Sequence, residues 1–124
     1  MVMFATGTSV AALPSFSFYI PNGNDNGHDT DVATADRWLQ ARFRPLLDDP
    51  RFAPGTLLIV VFDEASHGDT IYCAFVGAGV RAGATDATPS NHYDLVRTIE
   101  QIFGTGTLGC RDATSHVISG IWTP

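Results

Sequence analysis

The stretch that most constrains this chain is Leu57-Leu58-Ile59-Val60-Val61-Phe62-Asp63-Glu64. Six apolar residues in a row, mostly β-branched or large, suit a strand covered on both faces, the pattern of an inner strand in a parallel sheet. Pro54-Gly55 marks a turn before it. The run ends in two acids and continues as Ala65-Ser66-His67-Gly68-Asp69. In open α/β sheets ligands bind in the crevice beyond the carboxyl ends of the strands. Two neighbouring carboxylates repel unless a cation or a proton lies between them. The pattern therefore points to a metal site at Asp63 and Glu64.

The flanking segments place a second ligand-rich loop near the first. Ser15-Phe16-Ser17-Phe18-Tyr19-Ile20 alternates and then turns apolar, a short strand ended by Pro21. The loop that follows, Pro21 to Asp29, is dense in turn formers and in oxygen and nitrogen donors. If this strand runs parallel to Leu57–Phe62, His28 and Asp29 reach the same rim as Asp63 and Glu64. Taken alone, His28-Asp29 reads as an Asx-type turn; convergence on the rim is what gives it a functional reading.

Between these strands a helix is expected, capped by Thr30 or Asp31 and carrying an apolar stripe of Ala35, Trp38, Leu39, Phe43 and Leu46 edged by Arg42. Pro45 kinks or restarts it, and Asp48-Asp49-Pro50 closes it. Strand, helix and strand then form a βαβ unit, which implies parallel pairing. Ile71–Gly77 reads as a third strand, with Cys73 as a buried thiol inside it. Ser90 or Asn91 caps a second helix over about residues 92–103, whose expected buried stripe is Tyr93, Val96, Ile99, Ile102 and Phe103; Gly104 stops it. The tail ends in Val117–Trp122, a short strand or packed extended segment, and His116 within it reads as structural.

Composition narrows the partners. The 124 residues suffice for one domain with a core. The formal net charge is -6 and every basic residue is Arg. An acidic chain with scattered Arg does not suit nucleic-acid backbones. No apolar run approaches the roughly 18 residues that span a bilayer. No Arg or Lys precedes Arg37, so a secretory signal with a basic start is not expected and the chain is expected to be cytoplasmic as expressed. Residues 1–14, including the loop-like Thr6–Ser9, read as a poorly defined extension, and 15–124 as a single α/β domain.

With these residues in view, the chain resembles the C-terminal half of the phosphoesterase family that holds bacterial phospholipases C and respiratory-burst-inhibiting acid phosphatases, within the alkaline phosphatase superfamily. The matching pieces are Phe16–Asn22 with His28-Asp29, Ala35–Leu39, Leu58–Glu64, Ile71–Gly83 and Ser90–Glu100, in the family's order. The resemblance implies a fragment of an alkaline-phosphatase-like fold: a small, mainly parallel sheet of about three to four strands with two principal helices. It implies Asp63 and Glu64, joined by Asp29, as metal ligands, and His28 and His92 as catalytic residues. The family's Glu-Asn metal motif and its Ser or Thr nucleophile have no match here, and Asp69-Thr70 stands where relatives often carry Asn-His. The chain thus resembles a truncated or separately encoded fragment.

The expected function is metal-assisted hydrolysis of small phosphate esters (mono-, di- or triesters). Hard oxygens with one imidazole suit Mg²⁺, Mn²⁺ or Ca²⁺, with Zn²⁺ as a further candidate. Ser66 lies beside the acids but lacks the adjacent base that activation requires, so attack by a cation-activated water is the expected mechanism, with His28 or His92 as acid or base. Half a sheet leaves apolar surface uncovered, so a homodimer or higher homo-oligomer is expected. The alternatives are a non-catalytic self-associating fragment with remnant ligands, and a metal-independent hydrolase with a site at the subunit interface.

Overall fold

The computed structural model describes residues 9–124, which fall within two compact units, Met1–Ala78 and Gly79–Pro124. The readings of Met1–Ala5 and Thr6–Thr8 lie outside the described residues.

In the first unit the helix α1 spans Val32–Leu47. Asp31 caps it, its carboxylate accepting the Thr34 N–H at 2.8 Å. The helix passes through Pro45 without a break; the bond that proline removes would have gone to the carbonyl of Ala41, an exposed residue that water can serve. Phe43 and Leu46 are buried with Phe52, and Trp38, Leu39, Leu58 and Val10 pack around them. Phe52 begins the one-turn helix α2, Phe52–Gly55, where the sequence suggested a plain turn. Burial of side chains of this size stabilises by about 1.5–3 kcal/mol each.

The sheet differs from the expectation. Strands β1, Leu57–Val61, and β2, Cys73–Gly77, pair antiparallel, with Leu57 opposite Gly77 and Val61 opposite Cys73. Phe62 N–H donates to the Tyr72 carbonyl (3.1 Å) and extends the ladder, so the acidic segment is a hairpin loop. The physical reason is local. A parallel return needs a crossover of a dozen or more residues, usually a helix, and nothing helical lies between β1 and β2. All five residues of β1 are half-buried rather than enclosed on both faces.

Ser15–Ile20 forms no strand in the structure. Of its side chains it is Tyr19 that packs on α1. Tyr19 stacks on Trp38 (centroids 5.8 Å apart), meets Phe43 edge-on, and lies under the Arg42 guanidinium at 5.5 Å. Phe16, Phe18 and Ile20 face outward and are more than half exposed, at 54, 58 and 59%. The parallel sheet of three or four strands is thus replaced, among the described residues, by one antiparallel pair. Gly77 ends β2 at φ 115°, pressed so closely on the Thr56 carbonyl that a Cβ would collide with it. Cys73 is exposed rather than buried, because it opens β2 at the loop end of the hairpin. Partial desolvation still raises its thiol pKa.

The second unit is built on α3, His92–Phe103. Its start is a capping box: Asn91 Oδ1 accepts the Tyr93 N–H (2.8 Å), and Asp94 Oδ2 accepts the Asn91 N–H (2.7 Å). Gly104, at φ 65°, ends it. The buried face of α3 is Asp94, Leu95, Thr98 and Glu100, not the expected apolar stripe, of which Tyr93, Ile102 and Phe103 are exposed. Hydrogen bonds from the returning tail explain the rotation. His116 N–H reaches Asp94, and Ile118 N–H reaches the Thr98 hydroxyl at 2.9 Å. Ile118 and Ile121 are buried here, and Asp86 clamps the Ser119 and Gly120 amides. The expected strand at Val117–Trp122 reduces to one bridge, Val80 with Trp122.

Candidate functional site

The loop after Pro21 is braced by its own side chains. Asn22 accepts the Asn24 N–H and donates to Asp25, Asn26 accepts the His28 N–H, and Thr30 donates to the Asn24 carbonyl. Asp29 N–H closes the loop on the Gly23 carbonyl at 2.9 Å. A Cβ at Gly23 would meet the Asp29 carboxylate, so a larger residue there would push that side chain aside. Asn and Gly recur in this segment because such side-chain turns substitute for a backbone ladder.

This bracing presents His28 beside Asp29, with Nδ1 3.0 Å from Oδ1 and both side chains largely exposed. A carboxylate only accepts, so Nδ1 carries the hydrogen and Nε2 is the nitrogen left to act. The hydrogen bond with Asp29, then its charge, raises the His28 pKa above its usual value; Glu64 and Asp63 push the same way. The loop and the end of β1 are therefore electrostatic neighbours. Asp63 and Glu64 themselves stand exposed at the start of the hairpin loop.

The five residues read from the sequence are distributed as follows. His28, Asp29, Asp63 and Glu64 belong to the first unit, and Asp29 spends one oxygen on the His28 ring. Among the described residues no three His, Cys, Asp or Glu side chains converge closely enough to hold a metal ion. Asp63 and Glu64 carry hard carboxylate oxygens with no third such side chain among the described residues converging on them. His92 belongs to the second unit, exposed as the first residue of α3.

The second unit holds a constellation that sequence reasoning missed. The Asp94 carboxylate, its side chain 4% exposed, lies 3.1 Å from His116 Nδ1, and Ser90 Oγ lies 3.2 Å from His116 Nε2. An open cavity of about 730 Å³ is lined by Asp94, His116, Asn91, Tyr93 and Arg111 among others. Asp94 and His116 are 22 residues apart, so no local spacing announces the pair. The one available signal was Asp94 as the acidic partner of a capping box, which reads as structure.

The family model of the Phosphoesterase family matches residues 1–106, and the chain belongs to that family. It is 35% identical over 112 residues to a phosphatidylinositol-3-phosphatase of Mycobacterium tuberculosis, covering 89% of this chain and 36% of that protein. It is 28% identical over 113 residues to a phosphate-repressible acid phosphatase of Penicillium chrysogenum, and 29% identical over 113 residues to an acid phosphatase of Aspergillus niger. Each of those two alignments covers 86% of this chain and 27% of the relative. The chain therefore spans about a quarter to a third of the length of these curated relatives. No solved structure matches it. Among the described residues no helix is long and apolar enough to cross a membrane.

Proposed function

We propose that this chain contributes to the hydrolysis of small phosphate esters through the rim formed by the loop at 22–29 and the hairpin loop after β1. The observation that carries the reading is the His28 ring held 3.0 Å from the Asp29 carboxylate on the braced loop, with Glu64 and Asp63 adding to the pull on its proton. A raised imidazole pKa keeps His28 cationic over more of the neutral range. In that state it can bind a phosphoryl oxygen through Nε2, or give a proton to the departing alcohol. Asp29 fixes the ring's tautomer and direction and stabilises the imidazolium. The reaction is built from residues of the first unit alone.

Asp63 and Glu64 would hold the divalent cation, whose chemistry is to neutralise phosphoryl oxygens and lower the pKa of a water. Their two carboxylates need further donors, which a substrate phosphate or a second chain supplies. Self-association fits the outward-facing Phe16, Phe18 and Ile20, which leave apolar surface in water.

The test is hydrolysis of 4-nitrophenyl phosphate and bis(4-nitrophenyl) phosphate by the purified chain, with each divalent ion in turn and with chelator. Calorimetric titration of Mg²⁺ and Mn²⁺ is run alongside, and light scattering reports the assembly. The expected result is ion-dependent turnover lowered about 100-fold by His28→Ala, with cation binding weakened in Asp63→Ala. Absence of turnover with every ion defeats the catalytic reading and leaves a non-catalytic, self-associating chain.

A further inference from the structure

Three side chains in the second unit carry chemistry that the phosphate ester reading does not use. Asp94 is buried at the first turn of α3 and cannot turn away, because Oδ2 caps the Asn91 N–H at 2.7 Å. Its Oδ1 accepts both the backbone N–H and the ring Nδ1–H of His116, each at 3.1 Å. That double contact fixes the imidazole tautomer, since a carboxylate partner requires the hydrogen on Nδ1. Nε2 is then a lone-pair acceptor, and Ser90 Oγ lies 3.2 Å from it. The hydroxyl has one hydrogen and two acceptors in reach, Nε2 and the Thr88 carbonyl at 3.0 Å; rotation toward Nε2 is the activated arrangement.

These are the relations of a hydrolytic triad: a buried carboxylate, an imidazole oriented through Nδ1, and a hydroxyl on Nε2. The chain order Ser, Asp, His is also that of α/β-hydrolases, though the sharp glycine turn around their serine is replaced here by Thr88-Pro89-Ser90-Asn91-His92. Ser90 sits immediately before the Asn91 cap, so the positive end of α3 favours negative charge forming beside it. His116 and Asp94 line the same open cavity as Arg111, whose guanidinium lies 5.4 Å over the Tyr93 ring.

We propose that Ser90, His116 and Asp94 form a metal-independent esterase site for carboxylic esters that bear a negative charge recognised by Arg111. Charge decides the substrate class. A phosphoryl group in transfer spreads up to two negative charges over its oxygens and is met by metal ions or several cations. Among the described residues Arg111 is the only Lys or Arg lining the cavity, and the buried Asp94 carboxylate lines it too. An acyl transition state develops a single oxyanion on the carbon that Ser90 attacks, beside the positive end of α3, which leaves Arg111 for the separate charge of the substrate. In the reaction His116 Nε2 takes the Ser90 proton as Oγ bonds to the carbonyl carbon. The bond from that carbon to the ester alcohol oxygen then breaks, and the alcohol leaves with the proton from Nε2. Water attacks the acyl-serine by the same proton route, releasing the acid and restoring Ser90. Nothing is oxidised or reduced.

The test treats the full chain, in chelator, with a fluorophosphonate probe of activated serines and reads intact mass and the labelled peptide. One adduct on Ser90 is expected, absent in Ser90→Ala and in urea, and formed about 100-fold more slowly in His116→Gln. 4-Nitrophenyl hemisuccinate should be cleaved faster than 4-nitrophenyl acetate, a preference that Arg111→Ala removes. Circular dichroism checks the variants; if one is unfolded, the mapped position and urea sensitivity of the wild-type adduct decide. No adduct, an adduct on another residue, labelling that survives Ser90→Ala, or an unchanged rate in folded His116→Gln each overturns the proposal. So does a phosphoserine at position 90 after 4-nitrophenyl phosphate, which assigns the triad to phosphoryl transfer instead.

Discussion

Thr98 has the most buried side chain of the described residues, at 1% exposure, and its hydroxyl joins the two strokes of the second unit. It donates to the Asp94 carbonyl at 2.7 Å and accepts the Ile118 N–H at 2.9 Å. Thr98→Val keeps the shape of the side chain and removes both bonds. Ile118 is itself buried, so its N–H is left without an acceptor and without water, a loss of about 1–3 kcal/mol. The methyl that replaces the hydroxyl returns less than about 1 kcal/mol, so the net effect is destabilising by about 1–2 kcal/mol. Thr98→Ser is the control, because it keeps the hydroxyl and deletes one methyl, at a cost of about 1 kcal/mol. Native-state hydrogen exchange separates the two. The Ile118 amide should exchange about tenfold faster or more in the valine variant, since 1.4 kcal/mol is a factor of ten. In the serine variant it should follow only the general loss of stability. If Ile118 exchange in Thr98→Val is that of the wild type, the tail is not held by this bond and the account of the second unit is wrong.

Phe52→Ala should destabilise the first unit by about 3–5 kcal/mol, read as a lowered urea midpoint, because it empties the centre of the Phe43, Leu46, Phe52 cluster. Asp29→Asn should bring the His28 pKa down toward 6.5 by imidazole NMR, since the Asp29 hydrogen bond is the largest cause of the rise; Glu64→Gln should lower it less. The amides of Thr88 and Gly120 hold Asp86 at about 2, below the usual 3.8 of an aspartate. A depressed carboxylate stabilises the fold above the unfolded pKa and loses that contribution as pH falls through the folded value. Urea midpoints should therefore drop between pH 3.8 and about 2, and Asp86→Asn should flatten that acid limb.

Unlike the single turn of α2, helices α1 and α3 were legible because their signals are local. Asp31 and Asn91 cap them, Gly104 ends one of them, and the Trp38, Leu39, Phe43, Leu46 stripe lies at helical spacing. Strand direction was not legible, because Leu57–Val61 carries the same apolar run whether its neighbour returns by a hairpin or through a helix. The physical determinant is the segment 62–72, which is short and carries no helical pattern, so it can close a hairpin but not a crossover. For Ser15–Ile20 the alternating apolar residues Phe16, Phe18 and Ile20 face outward while Tyr19 anchors the segment on α1, and a two-residue period cannot say which set is covered. On α3 an apolar count pointed to Tyr93, Ile102 and Phe103, whereas amides arriving from residues 116 and 118 select the polar face. The loops at 22–29 and after β1 were legible as loops from their turn formers, whereas the antiparallel hairpin that carries the second one is encoded by no spacing in the sequence.

One carboxylate, that of Asp94, tethers the first turn of α3 through Oδ2 and steers the His116 ring through Oδ1. Architecture and reactivity in this half of the chain consequently share an evolutionary fate. A lineage that abandoned the acid to alter the histidine would have to reinvent the beginning of its helix in the same stroke.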